Sequence, residues 1–167
     1  MNKTSEHAPI LVFTFGNPSR GDDALGSAMF DLLEEYQVDN KKNCNFDLLT
    51  DYQLQIEHTV DLENREGILF IDASVSCSTP YEFYKLNPDR DESYTTHAMS
   101  PSALLSVYQQ VNQKQPPESY MLMIRGYEFT LGEPITEHAR INLEPSLGLV
   151  IQLLETRVEN WPQKHII

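Results

Sequence analysis

The chain has 167 residues, of which 40% are hydrophobic and 22% charged, a balance typical of one globular domain with its own core. Its formal net charge is −13, from 25 acidic and 12 basic residues, which argues against the basic surface that nucleic acids and anionic membranes require. We therefore expect no nucleic-acid or membrane partner. An acidic surface serves solubility, or it suits a cation or a basic partner segment.

The two cysteines and the apolar runs indicate the compartment. Cys44 and Cys77 are too few and too isolated for a disulfide framework or a Cys-rich zinc site. Residues 1–9 are polar and lack the apolar core of a signal peptide, and no apolar run reaches the roughly 20 residues that span a bilayer. We expect reduced thiols and a cytoplasmic protein.

The first predicted unit is a strand, a loop and a helix. The apolar run 10–15 is continuous rather than alternating, as in a central parallel strand covered on both faces. A loop with three turn-forming Gly and Pro residues follows at 16–21. Apolar residues then recur at three- and four-residue steps over 24–36, which predicts an amphipathic helix with Asp22 as its N-cap.

Strands and helices alternate along the rest of the chain. Predicted strands lie at 45–50, 67–72, 81–86 and 120–124, and predicted helices at 54–62, 101–111 and 145–160. This order predicts an α/β protein: one three-layer α/β/α sandwich, phosphorylase/hydrolase-like, with a mostly parallel central sheet and room for one antiparallel strand. Residues 1–167 form a single domain with a core at about 9–161, and we expect both termini to fray.

Acidic side chains stand at three successive strand ends. Asp22 and Asp23 follow the first strand, Asp51 ends the second and Asp72 ends the third, while His97 precedes the helix at 101. The carboxyl ends of parallel strands share one edge of the sheet, so these side chains are expected to converge. Carboxylates and an imidazole suit a divalent transition metal, and a bound cation would relieve the repulsion between the acids.

Each acid also has a structural explanation, because Asp is common in turns and helix caps. Other chemistries lack their motifs: the chain has no G-x-G-x-x-G or P-loop sequence, no G-x-S-x-G elbow and no H-E-x-x-H helix. Cys77 has no indicated histidine partner, and His58 is expected to be a surface or core residue of its helix.

The same residues carry a family resemblance. They are Gly16-Asn17-Pro18, Gly21-Asp22-Asp23, Gly26, the strand end at Asp72, and His97 ahead of Ser100-Pro101. In this order and at these intervals they resemble the NiFe-hydrogenase maturation endopeptidases, from residue 10 to the last predicted helix.

The resemblance implies a three-layer α/β/α fold. It also implies cleavage of a short C-terminal extension from the hydrogenase large-subunit precursor after nickel insertion. Asp23, Asp72 and His97 match the positions that bind metal in that family. The nickel would be supplied by the substrate, and other divalent metals can substitute. Many members have Glu where this chain has Asp23, and many have an Asp-Gly-Gly turn where this chain has Asp51-Tyr52-Gln53.

The leading hypothesis is a monomeric, nickel-dependent endopeptidase, of aspartic or metallo type, with Asp51 as the catalytic base or as an acid that positions the tail. One alternative is a metal-dependent phosphatase or hydrolase whose strand-end acids hold Mg²⁺, which would show magnesium-dependent phosphoester turnover. Another is a non-catalytic, nickel-checking accessory protein, which would bind nickel without cleaving peptide.

Overall fold

A six-stranded sheet forms the centre of the protein in a computed structural model that describes residues 7–89 and 99–166. The strands are β1 Ile10–Phe15, β2 Phe46–Asp51, β3 Gly67–Ser74, β4 Tyr81–Leu86, β5 Glu118–Arg125 and β6 Lys164–Ile166. Their order across the sheet is β2-β1-β3-β5-β4-β6. The first four of these neighbours run parallel, and β4 runs antiparallel to both β5 and β6.

Helices cover both faces of the sheet. The α-helices are α1 Leu25–Asp39, α2 Pro101–Asn112, α3 Glu137–Arg140 and α4 Leu143–Leu154, and 3-10 helices lie at Gly21–Ala24, Ile56–Leu62 and Val158–Asn160. On one face α1 and α4 bury residues such as Met29 and Val150, and on the other α2 and the Ile56–Leu62 helix bury Leu104 and Leu62. The predicted three-layer α/β/α sandwich with a mostly parallel sheet is therefore confirmed.

Local sequence explains the central elements. All six residues of β1 are buried, as its continuous apolar run predicted, and β1 lies between two parallel neighbours. At the start of α2, Ser100 Oγ accepts the N–H of Ala103 at 3.1 Å and Pro101 occupies the first helical position. Both β1 and α2 therefore begin at the residues predicted from the sequence.

Several predicted boundaries differ from the structure. The segment predicted as a helix at 54–62 is a 3-10 helix from Ile56, and α4 ends at Leu154, before the separate turn at Val158–Asn160. The short helix α3 was not predicted. Lys164–Ile166, expected to fray, pairs with β4 as an antiparallel edge strand. No helix in the described part of the chain is long and apolar enough to cross a membrane.

Candidate active site

At the carboxyl edge of the sheet, two of the predicted acids, Asp51 and Asp72, lie on opposite sides of β1. The register pairs Phe15 with Asp51 of β2, and it pairs Thr14 with Ile71 of β3, so that Phe15 also lies beside Asp72. Strands are spaced about 4.8 Å apart, which separates the two aspartate backbones by roughly 10 Å. Alternation along each strand directs both carboxylates to the face that carries α2, the face on which Phe15 packs.

Asp23 is held in place by the loop that follows β1. Its Oδ2 accepts the N–H of Asn17 at 2.8 Å. Gly16 has a φ of +137°, and a Cβ there would lie 2.3 Å from the carbonyl oxygen of Asp23. Only glycine fits this approach, since both the backbone angle and the contact exclude a side chain. Asp23 Oδ1 has no hydrogen-bond partner among residues 7–89 and 99–166.

Asp72 is the acid with the most perturbed ionisation. Burial, together with a smaller effect of the negative charge of Asp23, raises its pKa to about 7 against the opposing effect of the hydrogen bond from the Ala73 N–H. That N–H contacts Asp72 Oδ1 at 2.8 Å. The charge of Asp23 thus acts on Asp72, and a cation bound near Asp72 would offset both its burial and this repulsion.

Asp51 is fixed by two contacts. Its Oδ1 accepts the N–H of Tyr52 at 2.6 Å, and its Oδ2 lies 3.2 Å from His58 Nε2. His58 is the site residue that sequence analysis missed. It was expected to be an ordinary helix residue, and its seven-residue spacing from Asp51 carries no signal unless the turn between them is known.

The prediction that Asp22 is a helix N-cap was wrong. Arg20 is the N-cap of the 3-10 helix at Gly21–Ala24, and no side chain caps it. Asp22 is fully buried. It accepts hydrogen bonds from the N–H groups of Tyr127, Glu128 and Thr136 at 2.8, 3.0 and 2.7 Å, and from the Thr136 hydroxyl at 3.0 Å. Burial alone would raise the pKa of Asp22, but these hydrogen bonds hold the pKa below its usual range.

His97, the predicted third metal ligand, lies outside the described residues. The chain resumes at Met99, whose N–H donates to the Leu54 carbonyl at 3.5 Å. Leu54 and α2 both belong to the face that Asp51 and Asp72 point toward. Within the described ranges, no group of three or more His, Cys, Asp or Glu side chains could hold a metal ion. The carboxylates of Asp23 and Asp72 fit a metal only when further ligands join them.

Neither of the two thiols is a candidate nucleophile. Both Cys44 and Cys77 are free, as expected, and Cys77 is buried. Burial raises the pKa of the Cys77 thiol above its usual range. A raised pKa leaves less thiolate at neutral pH, so this cysteine is a poor nucleophile.

The known proteins that this chain resembles were found by comparing its structure with solved structures. The sequence matches no protein-family profile and no curated protein. A NiFe-hydrogenase maturation protease HycI from Thermococcus kodakarensis KOD1 superposes with a TM-score of 0.68 at 19% identity, over 91% of this chain and 96% of that one. The hydrogenase maturating endopeptidase HybD from E. coli gives 0.66 at 21% identity, over 87% and 91%. At these identities the likeness shows the fold, and it agrees with the family resemblance seen in the sequence.

Proposed function

We propose that this protein is an endopeptidase of NiFe-hydrogenase maturation that removes a C-terminal extension from a nickel-loaded large-subunit precursor. One observation carries the proposal: Asp23 and Asp72 interact at the carboxyl edge of the sheet, in a fold shared with hydrogenase maturation proteases. In α/β sheets that edge is the usual place for ligands.

The donor set fits a metal that arrives with the substrate. Asp23 and Asp72 each use one oxygen in a backbone hydrogen bond, so each has the other oxygen for a cation. His97 is the third proposed ligand. Three such ligands without a thiolate leave the sphere incomplete, so the precursor must supply the remaining ligands. Cleavage therefore depends on nickel having been inserted.

The bound metal and Asp51 have different proposed roles in hydrolysis. Bound nickel supplies a template and a Lewis acid. Asp51, whose side chain is 41% exposed, is the proposed base that takes a proton from the attacking water, or the acid that positions the tail. Its place two strands away from Asp72 leaves room between them for an extended peptide.

The rim of the site suits a protein substrate better than a small phosphoester. Large apolar side chains are exposed in three loops of the edge, those that follow β2, β3 and β5: Tyr52 is 65% exposed, Val75 51% and Leu131 72%. Leu131 joins the first loop through a β-bridge to Arg20. Exposed apolar residues around a polar site mark protein contact surfaces, and the net charge of −13 suits a basic tail. We propose that the protein acts as a monomer in the cytoplasm, without nucleic acid or membrane.

Cleavage of purified precursor tests the proposal. Nickel-loaded precursor should be shortened at its C-terminus, as measured by mass spectrometry, and nickel-free precursor should remain intact. Asp72→Ala should abolish cleavage, whereas Asp31→Ala, which removes a charge from the exposed surface of α1, should not.

Three outcomes would contradict it. Cleavage of both precursor forms would remove the dependence on nickel, and cleavage by Asp72→Ala would remove the role of the metal pair. Nickel-dependent association with the precursor without any shortening would instead identify a nickel-checking accessory protein.

A further inference from the structure

The contact between Asp51 and His58 connects the candidate base to a second side chain. Asp51 Oδ2 lies 3.2 Å from His58 Nε2, while Oδ1 accepts the Tyr52 N–H. Both oxygens of the carboxylate are therefore engaged from the protein side, and the carboxylate cannot rotate without breaking a contact.

The backbone fixes the tautomer of His58. The N–H of Gln55 donates to His58 Nδ1 at 2.8 Å, and the Gln55 side chain in turn accepts from the backbone of residue 58. Because Nδ1 acts as an acceptor, the neutral ring carries its proton on Nε2. That proton faces Asp51 Oδ2, so the imidazole is the donor in this contact.

Packing holds the imidazole ring in place. The ring of His58 meets the ring of the buried Phe13 edge-on, at 4.7 Å between centroids. The segment that carries it is anchored by the buried Leu54 and Leu62. The His58 side chain is 15% exposed and that of Asp51 41%, so the histidine is the inner partner and the aspartate is the one open to solvent.

We propose that His58 is a positioning residue that holds the Asp51 carboxylate in its working orientation. The inference rests on the proposed function, since it assigns a helper to the base of that same site. A base must lie within hydrogen-bond reach of the proton it takes, and a small displacement weakens it strongly. Loss of His58 should therefore lower kcat and leave KM for the precursor nearly unchanged.

Two substitutions separate positioning from a merely structural role. His58→Asn keeps an acceptor near Nδ1, and thus the contact with Gln55, but it loses the donor to Asp51. His58→Gln places an amide donor near Nε2 and restores that contact. We expect His58→Asn to lower kcat by ~10-fold or more and His58→Gln to recover most of the loss. His138→Asn, at an exposed position of α3, is the matched control and should cleave like the wild type.

The inference is overturned if His58→Asn and His58→Gln have the same kcat. If both cleave normally, or if both lose the same activity and the same thermal stability, His58 serves only the fold. Should the wild-type protein fail to cleave nickel-loaded precursor at all, the proposed function falls and this inference falls with it.

The tautomer can be measured without any cleavage. In ¹⁵N-histidine spectra of the full chain at pH 8, His58 should be protonated at Nε2 and unprotonated at Nδ1. A ring protonated at Nδ1 would overturn the positioning contact even if the precursor is cleaved normally.

Discussion

Asp22 and Asp72 lie at the same sheet edge and have opposite surroundings. Asp22 is fully buried and accepts four hydrogen bonds, which lower its pKa despite burial. Asp72 has one backbone hydrogen bond and a nearby negative charge, and burial raises its pKa to about 7. The described residues give the first carboxylate a donor for each oxygen, whereas they give the second a donor for Oδ1 alone. Burial alone does not distinguish a structural acid from a functional one, but hydrogen bonding does.

The largest expected effect is on cleavage by Asp72→Asn. The amide keeps the size of the side chain and removes the charge that binds a cation, so cleavage of nickel-loaded precursor should fall by more than ~100-fold. The rate of tail release measures it, with circular dichroism as the check on folding. A folded variant with near-normal cleavage would mean that Asp72 is as structural as Asp22.

Asp22→Asn should act on stability instead. One of the two acceptor oxygens becomes an NH₂ group that faces N–H donors, which leaves buried groups unpaired and should cost about 2–4 kcal/mol in the free energy of unfolding. Urea denaturation at pH 7 measures this cost. Asp31→Asn is the exposed control and should change stability by less than ~0.5 kcal/mol. A similarly small effect at Asp22 would contradict the role of the four hydrogen bonds.

The pH dependence of stability should separate the two acids further. The pKa of Asp72 is about 7 in the folded protein, against 3.8 for the unperturbed group. Between pH 3.8 and pH 7 the folded state therefore keeps a proton on Asp72 that the unfolded state has lost. This contribution to stability is full below about pH 4 and is lost as the pH rises through 7. Without divalent cations, the stability of Asp72→Asn relative to the wild type should therefore rise by about 4 kcal/mol between pH 4 and pH 8.

The contribution of Asp22 to stability should change with pH in the opposite direction. Its folded pKa is lowered, so its contribution is present above the unperturbed pKa of 3.8 and is lost only as the pH falls through the folded value. Urea titrations at several pH values measure both slopes. An Asp72→Asn difference that does not change with pH would show that the Asp72 carboxyl is not perturbed.

The smallest effect is expected for Asp23→Glu. The longer side chain reaches the same cation while it gives up its contact with the Asn17 N–H, so cleavage should fall by about tenfold or less. Many NiFe-hydrogenase maturation endopeptidases, the family that this sequence resembles, have Glu at this position. Asp23→Asn, which removes the charge, should lose much more in the same assay, and equal losses would mean that length rather than charge matters.

The sheet, and the position of Asp23 and Asp72 at its carboxyl edge, were predictable from local signals. Continuous apolar runs mark β1, β3 and β5. Asp72 lies near the end of β3 and Asp23 in the loop region after β1, so parallel topology puts both acids at one edge. The role of Asp22 was not predictable, because its partners at 127, 128 and 136 come more than 100 residues later in the chain. The role of His58 depends on a 3-10 turn that the apolar spacing of residues 54–62 does not distinguish from an α-helix.

The contacts of Asp22 also set the order in which the protein can mature. The segment at 127–136 binds the first loop through further hydrogen bonds, from Gly21 N–H to Glu133 and from Gly132 N–H to Ser19. A nascent chain therefore cannot form these contacts of the loop that carries Asp23 until residues 127–136 have left the ribosome. Contacts of such long sequence separation form late in folding. An unfinished copy thus lacks the contacts that hold the loop carrying Asp23.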